Sequence, residues 1–217
     1  MARVKDAVCK LCRREKEKLF LKGLRCFTDK CAVVKKPYVP GQKAKMRLVE
    51  SEYYTQLREK QKAKRYYGIL EAQFYNYYKK ATRKQGITGE VLLQLLEMRL
   101  DNVLYLMGFA TSRAQARQMI SHGHVQVNGK KVDIPSFQVK EGQEISIAEK
   151  SKELPFIVEA KESAGSLNIP EWLEVDLKNL KGKVIRVLIA KPGLDGHYSG
   201  PPCTIYRTFE LTFSLMV

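Results

Sequence analysis

The sequence predicts an α+β protein in which a mainly helical first domain is followed by a second domain with the order helix, helix, hairpin, strand. Apolar residues recur at helical spacing up to about residue 95, and alternating apolar residues around an Asn-Gly pair follow from residue 125. Hydrophobic residues make up 44% of the 217-residue chain, which is enough for two packed cores. We therefore place the domains at residues 1–95 and 96–180.

Positive charge is concentrated in the first domain. The formal net charge is +16, and residues 1–100 hold 25 basic and 10 acidic side chains. Because like charges repel, such a surface indicates a polyanionic partner, either a nucleic acid or, as the weaker alternative, an anionic membrane. The sequence has no apolar run of about 18 residues and no apolar signal-peptide core, so we expect a cytoplasmic protein with no membrane partner.

Two close pairs of cysteines lie near the N-terminus, with the spacing C-x2-C-x13-C-x4-C formed by Cys9, Cys12, Cys26 and Cys31. This spacing lets four thiolates surround one tetrahedral metal ion and leaves no open position for catalysis. Zinc is the first candidate, and an iron–sulfur cluster fits the same spacing. The alternatives are two disulfides, which a reducing cytosol disfavours, or unrelated buried cysteines. The pattern favours an N-terminal zinc knuckle.

A link containing Pro37 and Pro40 precedes two predicted basic helices. The first begins after Ser51, and residues 58–65 hold five cations in eight positions. In the second, Phe74, Tyr78 and Ala81 share one side. Seven tyrosines fall among residues 53–78, where they can stack on bases or border a core; we favour the core.

The second domain begins with an apolar helix that runs from Leu100 and stops at Gly108. Ser112 then offers an N-cap, with Gln115 completing a capping box for a second helix. Asn128-Gly129 is suited to a type I′ turn of a hairpin. A strand at residues 144–147 follows.

Arg113 and Arg117 are four residues apart and therefore share one side of the second helix. The histidines His122 and His124 and the hairpin lysines Lys130 and Lys131 follow nearby. We interpret this edge as phosphate-binding, with a solvated charged face as the alternative for the arginines and a structural role favoured for the histidines.

The segment RLDNVLYLMGFATSRAQARQMISHGHVQVNGKKVDIPS resembles the small RNA-binding module named after ribosomal small-subunit protein four. The resemblance implies RNA binding through Arg113, Arg117 and the hairpin. Such modules also occur in RNA-modifying enzymes and in an aminoacyl-tRNA synthetase, so the module alone leaves the activity open.

The segments CKLCRREKEKLFLKGLRCFTDKC, KKPYVPGQK, LREKQKAKRYYGILEAQF and TGEVLLQLLEMRLDN extend the resemblance from Met1 to about Lys183. They resemble the ribosomal small-subunit protein four family of bacteria and organelles in its zinc-type form. The resemblance implies the four cysteine ligands, direct binding to small-subunit ribosomal RNA, early assembly of that subunit, and contact with ribosomal small-subunit protein five. It also implies a place near the channel through which mRNA enters, with a role in decoding accuracy and with Lys43 to Arg47 facing the messenger.

We thus predict a non-enzymatic protein in the cytoplasmic ribosome, whose RNA contacts come from sixteen basic side chains. They are Arg13, Arg14, Lys43, Lys45, Arg47, Arg58, Lys62, Arg65, Arg83, Lys84, Arg113, Arg117, His122, His124, Lys130 and Lys131. One rival is an RNA-modifying enzyme that uses the module as a targeting arm, although we find no glycine-rich nucleotide loop and no Ser-His-Asp set. Another is a zinc-dependent DNA-binding protein.

The pattern departs from that family after Lys183, and we expect a divergent tail at residues 184–217, with parts of residues 181–217 returning to the first domain. Residues 183–197 resemble the opening of a cobalamin-binding domain, with Asp195, His197 and Gly200 as its motif. Only 17 residues follow Gly200, too few for a doubly wound sheet, so we do not expect cobalamin. The fifth cysteine, Cys203, has no partner in the predicted metal site.

Overall fold

The structure, a computed structural model, describes residues 7–41, 51–164 and 169–186, in which seven α-helices precede the first strand and an eighth lies between the third and fourth strands. The helices of the first half are α1 (Val8–Glu15), α2 (Ala32–Lys35), α3 (Glu52–Tyr66), α4 (Glu71–Thr82) and α5 (Thr88–Glu97), with a 3₁₀ turn at Gly23–Cys26. The second half contains α6 (Leu100–Leu106), α7 (Arg113–Ser121), β1 (Val125–Val127), β2 (Lys130–Lys131), β3 (Glu144–Ile147), a 3₁₀ turn at Glu149–Ser151, α8 (Pro155–Ala164), β4 (Leu173–Asp176) and β5 (Lys181–Val184). The predicted mixture of helices and an antiparallel sheet is confirmed.

Both predicted helix caps are present. The hydroxyl of Ser51 accepts a hydrogen bond from the backbone N–H of Tyr54 at 3.2 Å, and that of Ser112 accepts one from Gln115 at 3.3 Å. The Gln115 side chain reaches back one residue further than a capping box requires, because its oxygen accepts from the Thr111 backbone N–H at 2.6 Å. Local sequence rules therefore fix where α3 and α7 begin.

The first hydrophobic core lies among α3, α4 and α5. It contains Ala63, Tyr66, Tyr67, Ile69, Phe74, Tyr77, Ala81, Val91, Leu92 and Leu96. The prediction that the tyrosines border a core is confirmed for Tyr66, Tyr67 and Tyr77. Tyr53 and Tyr75, in contrast, are 65% and 54% exposed. On α4 the structure buries Tyr77 where we expected Tyr78, which is half-buried.

The second core lies between α6, α7 and a five-stranded antiparallel sheet of order β2-β1-β3-β5-β4. Asn128 and Gly129 have φ of 49° and 76°, and positive φ at both positions is the signature of the predicted type I′ turn. β5 pairs with β3, with Ile145 opposite Gly182. Residues 181–184 thus belong to the sheet of the second domain. Residues 187–217 lie outside the described residues, so the expectation that parts of residues 181–217 return to the first domain stays a prediction.

Gly23 holds the 3₁₀ turn against the second domain. Its φ is +60°, and a Cβ added there would lie 2.5 Å from the Thr111 carbonyl oxygen, well inside van der Waals contact. Backbone strain and steric clash therefore add. We expect Gly23→Ala to lower the free energy of unfolding by more than about 2 kcal/mol, measured by urea denaturation.

Gly142→Ala is the matched control for Gly23→Ala. Gly142 also has positive φ, at +76°, but nothing lies within 4 Å of an added Cβ. The control should cost about 1 kcal/mol, from backbone strain alone. Equal losses of unfolding free energy for the two variants would show that the short distance between Gly23 and Thr111 adds no cost to the Gly23→Ala substitution.

Candidate nucleic-acid interface

The four paired cysteines lie around one small cavity between α1, the 3₁₀ turn at Gly23–Cys26 and the start of α2. All four are free thiols, and Cys12, Cys26 and Cys31 are buried. Burial raises the pKa of the Cys12 and Cys26 thiols, and the neighbouring cysteines add to the effect. Across residues 7–41, 51–164 and 169–186, no group of three or more His, Cys, Asp or Glu side chains forms a cluster that could hold a metal ion. The cysteines thus share a cavity, and the zinc knuckle stays a prediction.

Three predicted RNA-contacting residues of α3 are engaged in ion pairs. Arg58 and Arg65 both bond to Glu15, whose side chain is fully buried. Lys62 is 7% exposed and bonds to Glu17 at 3.0 Å and Glu59 at 2.9 Å. Burial alone would lower the pKa of Lys62, but the bonds to Glu59 and Glu17 raise it overall. These cations dock α1 on α3, so the face of α3 is less free to bind phosphate than we expected.

Arg13 also serves the fold. Its Nε donates to the carbonyl oxygens of Lys36 and Tyr38, both at 3.1 Å, and its guanidinium lies 4.7 Å from the centroid of the Tyr38 ring. Arg14, next to it in α1, is half-buried. Arg13 therefore joins α1 to residues 36–38, at the other end of the N-terminal segment (residues 7–41).

Arg113 lies in the interior, which corrects our expectation of an exposed phosphate-binding face on α7. It is 8% exposed, its Nε donates to Asn102 Oδ1 at 2.7 Å, and its guanidinium lies 3.9 Å from the Tyr66 ring centroid and 4.4 Å from that of Tyr105. The alternative, in which Arg113 lies on a solvated charged face, is also wrong because Arg113 is buried. Aromatic rings and an amide take the place of water around this cation.

Arg117 bridges the two domains. Its Nε and Nη2 donate to Asp101 Oδ2 at 3.0 and 2.6 Å, and its Nη1 donates to the Gly68 carbonyl oxygen at 2.5 Å. Asp101 is 2% exposed and also accepts two bonds from the buried Arg99, at 3.0 and 2.7 Å. We assign Arg113 to the interior, where its Nε joins α7 to α6. Arg117 is half-buried, and its bonds join α7 to α6 and to the α3–α4 loop.

Glu97 forms a second part of this buried network, which the sequence analysis missed. It accepts from the Tyr67 hydroxyl at 2.5 Å and from Asn102 Nδ2 at 2.6 Å. Burial raises the pKa of Glu97, and this effect outweighs the lowering of the pKa by the two hydrogen bonds. The only sequence signal was a polar run, Glu97, Arg99, Asp101 and Asn102, inside an apolar stretch, where polar side chains need partners.

The hairpin end of the second domain keeps three of its predicted cationic or polar side chains exposed: His122, Lys130 and Lys131. We call these the hairpin patch. His124 is half-buried, and its Nδ1 lies 2.8 Å from the Ser151 hydroxyl. Burial lowers its pKa, with His122 and Lys131 adding to the effect, and this favours the neutral imidazole. This contact supports a structural role for His124.

The end of α4 carries a second exposed cationic surface, the α4 patch, formed by Lys79, Lys80, Arg83 and Lys84. Arg83 and Lys84 were predicted to contact RNA, and the two lysines extend their surface toward the middle of α4. Within the part of the chain that the structure describes, no ion pair engages these four side chains, so a polyanion can neutralise them without breaking one. Lys43, Lys45 and Arg47, and the tail residues Asp195, His197, Gly200 and Cys203, lie outside the described residues.

Comparison with known proteins matches residues 3–97 to the family described as Ribosomal protein S4/S9 N-terminal domain, and residues 98–145 to the S4 domain. The chain is 58% identical to small ribosomal subunit protein uS4 of Natranaerobius thermophilus over 187 residues, covering 86% of this chain and 90% of the relative. It is 55% identical to uS4 of Ruminiclostridium cellulolyticum over 195 residues, covering 90% and 93%. It is also 57% identical to uS4 of Koribacter versatilis over 185 residues, covering 85% and 88%.

The chain belongs to the small ribosomal subunit protein uS4 family.

Membership of the uS4 family confirms the prediction of a ribosomal protein that is not an enzyme, and it removes support from the RNA-modifying alternative. Similarity to these uS4 proteins does not test zinc binding, contact with ribosomal small-subunit protein five or a place near the mRNA channel, so those expectations stay predictions. None of the helices seen among the described residues has the length and hydropathy to cross a membrane.

Proposed function

We propose that this chain is a structural component of the small ribosomal subunit that binds small-subunit ribosomal RNA, with the α4 patch and the hairpin patch as two of its phosphate-binding surfaces. The match of residues 98–145 to the S4 domain, within a uS4-like chain, carries the proposal. The charge distribution supports it, because 25 of the 39 basic side chains lie in the first hundred residues. Ion pairs occupy Arg58, Lys62 and Arg65, so the α4 patch offers cations that are easier to recruit.

Removing the α4 patch should weaken RNA binding and reduce its dependence on salt. We expect the fourfold variant Lys79→Gln, Lys80→Gln, Arg83→Gln, Lys84→Gln to lower the slope of log affinity against log salt by about 0.7–0.9 for each phosphate that the variant no longer neutralises. Filter binding of small-subunit ribosomal RNA over a salt series measures this slope. The fold should be unaffected, because all four side chains are exposed.

Lys161→Gln is the matched control, since Lys161 is an exposed lysine of α8 between Glu159 and Glu162. Its affinity and salt slope should equal those of the unaltered chain. Failure of the unaltered chain to bind folded ribosomal RNA at low salt concentration would contradict the proposed function. An unchanged slope in the fourfold variant would remove the α4 patch from it.

The DNA-binding alternative predicts a different competition result. RNA helices present 2′-hydroxyl groups and a wide minor groove that duplex DNA lacks. We expect folded ribosomal RNA to displace the bound protein from duplex DNA at physiological salt, and an excess of duplex DNA to leave the RNA complex intact. Equal competition by both nucleic acids would favour a general nucleic-acid binder.

On resemblance to the family, we further propose that the chain acts early in assembly of the small subunit and contacts ribosomal small-subunit protein five. The same resemblance supports a place beside the channel through which mRNA enters and a role in decoding accuracy. Lys43, Lys45 and Arg47 are the residues that we propose to face the messenger. We place the protein in the cytoplasmic ribosome.

We also propose that Cys9, Cys12, Cys26 and Cys31 bind zinc. Four free thiols from three separate elements line one cavity, and thiolates are the ligands of structural zinc sites. An iron–sulfur cluster remains the alternative for the same four donors. When bound, the ion supplies cross-linking between α1, the 3₁₀ turn and α2, and the four cysteines leave no open position for chemistry.

A further inference from the structure

The 3₁₀ turn at Gly23–Cys26 presents an apolar face to solvent. Residues three apart eclipse one another in a 3₁₀ turn, so Gly23 and Cys26 share the buried side while Leu24 and Phe27 share another. Leu24 is 45% exposed and Phe27 is 64% exposed. Exposing a phenyl ring to water is unfavourable, and this one extends from a segment that Gly23 fixes against the Thr111 backbone.

The ring of Phe27 is already part of a stack. Its centroid lies 5.0 Å from that of Phe20, with 29° between the ring planes. Since Phe27 keeps more than half of its surface exposed, the stack can accept another planar group. Contact with Phe20 restricts the orientations open to the Phe27 ring, which lowers the entropy that a partner loses in ordering it.

The surroundings of Phe27 are strongly cationic. The N-terminal segment (residues 7–41) holds ten basic and three acidic side chains. Lys22, Arg25 and Lys30 are exposed close by in sequence. A planar apolar surface flanked by cations matches an unstacked nucleotide, whose base is planar and whose phosphates are anionic.

We propose that Phe27 stacks on an unpaired base of the bound RNA, extending the Phe20–Phe27 stack, while Lys22, Arg25 and Lys30 hold the adjoining phosphates. This inference rests on the proposed RNA-binding function and adds a single-stranded nucleotide contact to it. An apolar protein surface is the less suitable partner, because docking it here would desolvate the surrounding cations without neutralising them.

The test compares variants of the full chain, with zinc present, in their affinity for transcribed small-subunit ribosomal RNA. Phe27→Ala should weaken binding by about five- to a hundredfold with little change in salt slope, because stacking releases no counterions. Phe27→Tyr should bind like the unaltered chain, since it keeps a ring. Phe27→Leu should bind as weakly as Phe27→Ala, since it is apolar but has no π face.

Val158→Ala is the matched control, because Val158 is a 42% exposed apolar residue of α8, beside Glu159. It should not change RNA affinity. Circular dichroism should show that all variants keep their helices. If the unaltered chain binds RNA and Phe27→Ala binds equally well, the stacking contact is overturned and the proposed function stands. Unchanged RNA affinity in Phe27→Leu would also overturn the stacking contact, because an apolar side chain without a ring would then be enough for binding.

Discussion

Replacing Asp101 with asparagine is expected to lower the free energy of unfolding by about 3–5 kcal/mol, as breaking a buried ion pair on one side does. Asp101 is 2% exposed and faces two cations, Arg99 and Arg117. Arg99 is itself 2% exposed, so the substitution leaves its positive charge buried with the Tyr77 hydroxyl as a neutral partner, 2.9 Å away. The loss comes mainly from that uncompensated charge.

Urea unfolding followed by circular dichroism measures this loss. Glu144→Gln is the matched control, because it removes the charge from an ion pair with Lys181 at 3.3 Å in which both side chains are more than half exposed. Exposed pairs contribute about 0.2–1 kcal/mol, so the control should be nearly as stable as the unaltered chain. A similar small loss for Asp101→Asn would mean that water reaches the network and that the arginines do not depend on Asp101.

If the four paired cysteines bind zinc as we propose, removing the metal is expected to unfold the N-terminal segment (residues 7–41), because structural zinc contributes about 10–16 kcal/mol of apparent binding energy in small metal-bound domains. Leu19 is the one fully buried residue among the larger apolar side chains of residues 7–41, so this segment has little core of its own. Losing α1 would also remove Glu15 from Arg58 and Arg65, and α3 would keep its cations without their internal partner.

Chelation followed by circular dichroism and amide hydrogen exchange measures this unfolding, with faster exchange expected at residues 8–15 of α1 and little change at α6. Cys12→Ser should behave like the chelated chain. Cys203→Ser, which removes the one cysteine outside the paired set, should bind zinc normally. Full helicity and unchanged RNA affinity after chelation would contradict a structural role for the metal. A bound iron–sulfur cluster would instead be recognised by its visible absorption.

Local features of the fold could be predicted from the sequence because their physical causes are local. The Ser51 and Ser112 caps and the Asn128-Gly129 turn depend on residues within four positions of each other. β4 and β5 were missed, since their turn contains no Asn-Gly pair. The signal was Asp176, whose carboxylate accepts from the backbone N–H groups of Lys178 and Asn179 at 2.9 and 3.2 Å.

The bridging role of Arg117 could not be predicted, because its carbonyl partners are far away along the chain. Arg117 bonds to the carbonyls of Tyr67 and Gly68, which lie 50 and 49 residues earlier. A count of charges treats every arginine and lysine as surface, whereas Lys62, Arg99 and Arg113 are all buried. The sequence therefore gives the net charge of the chain, whereas which cations are exposed depends on contacts between residues that are far apart along the chain.

If the α4 patch and the hairpin patch bind phosphate as we propose, the bridge made by Arg117 affects which RNA the protein selects. The α4 patch belongs to the first domain and the hairpin patch to the second, and Arg117 ties α7 to the α3–α4 loop through main-chain carbonyls. These bonds limit how far the two patches can move relative to each other in the free protein. The nucleic acid has to conform to the protein, so a transcript whose phosphates already sit at the matching separation loses the least conformational freedom on docking.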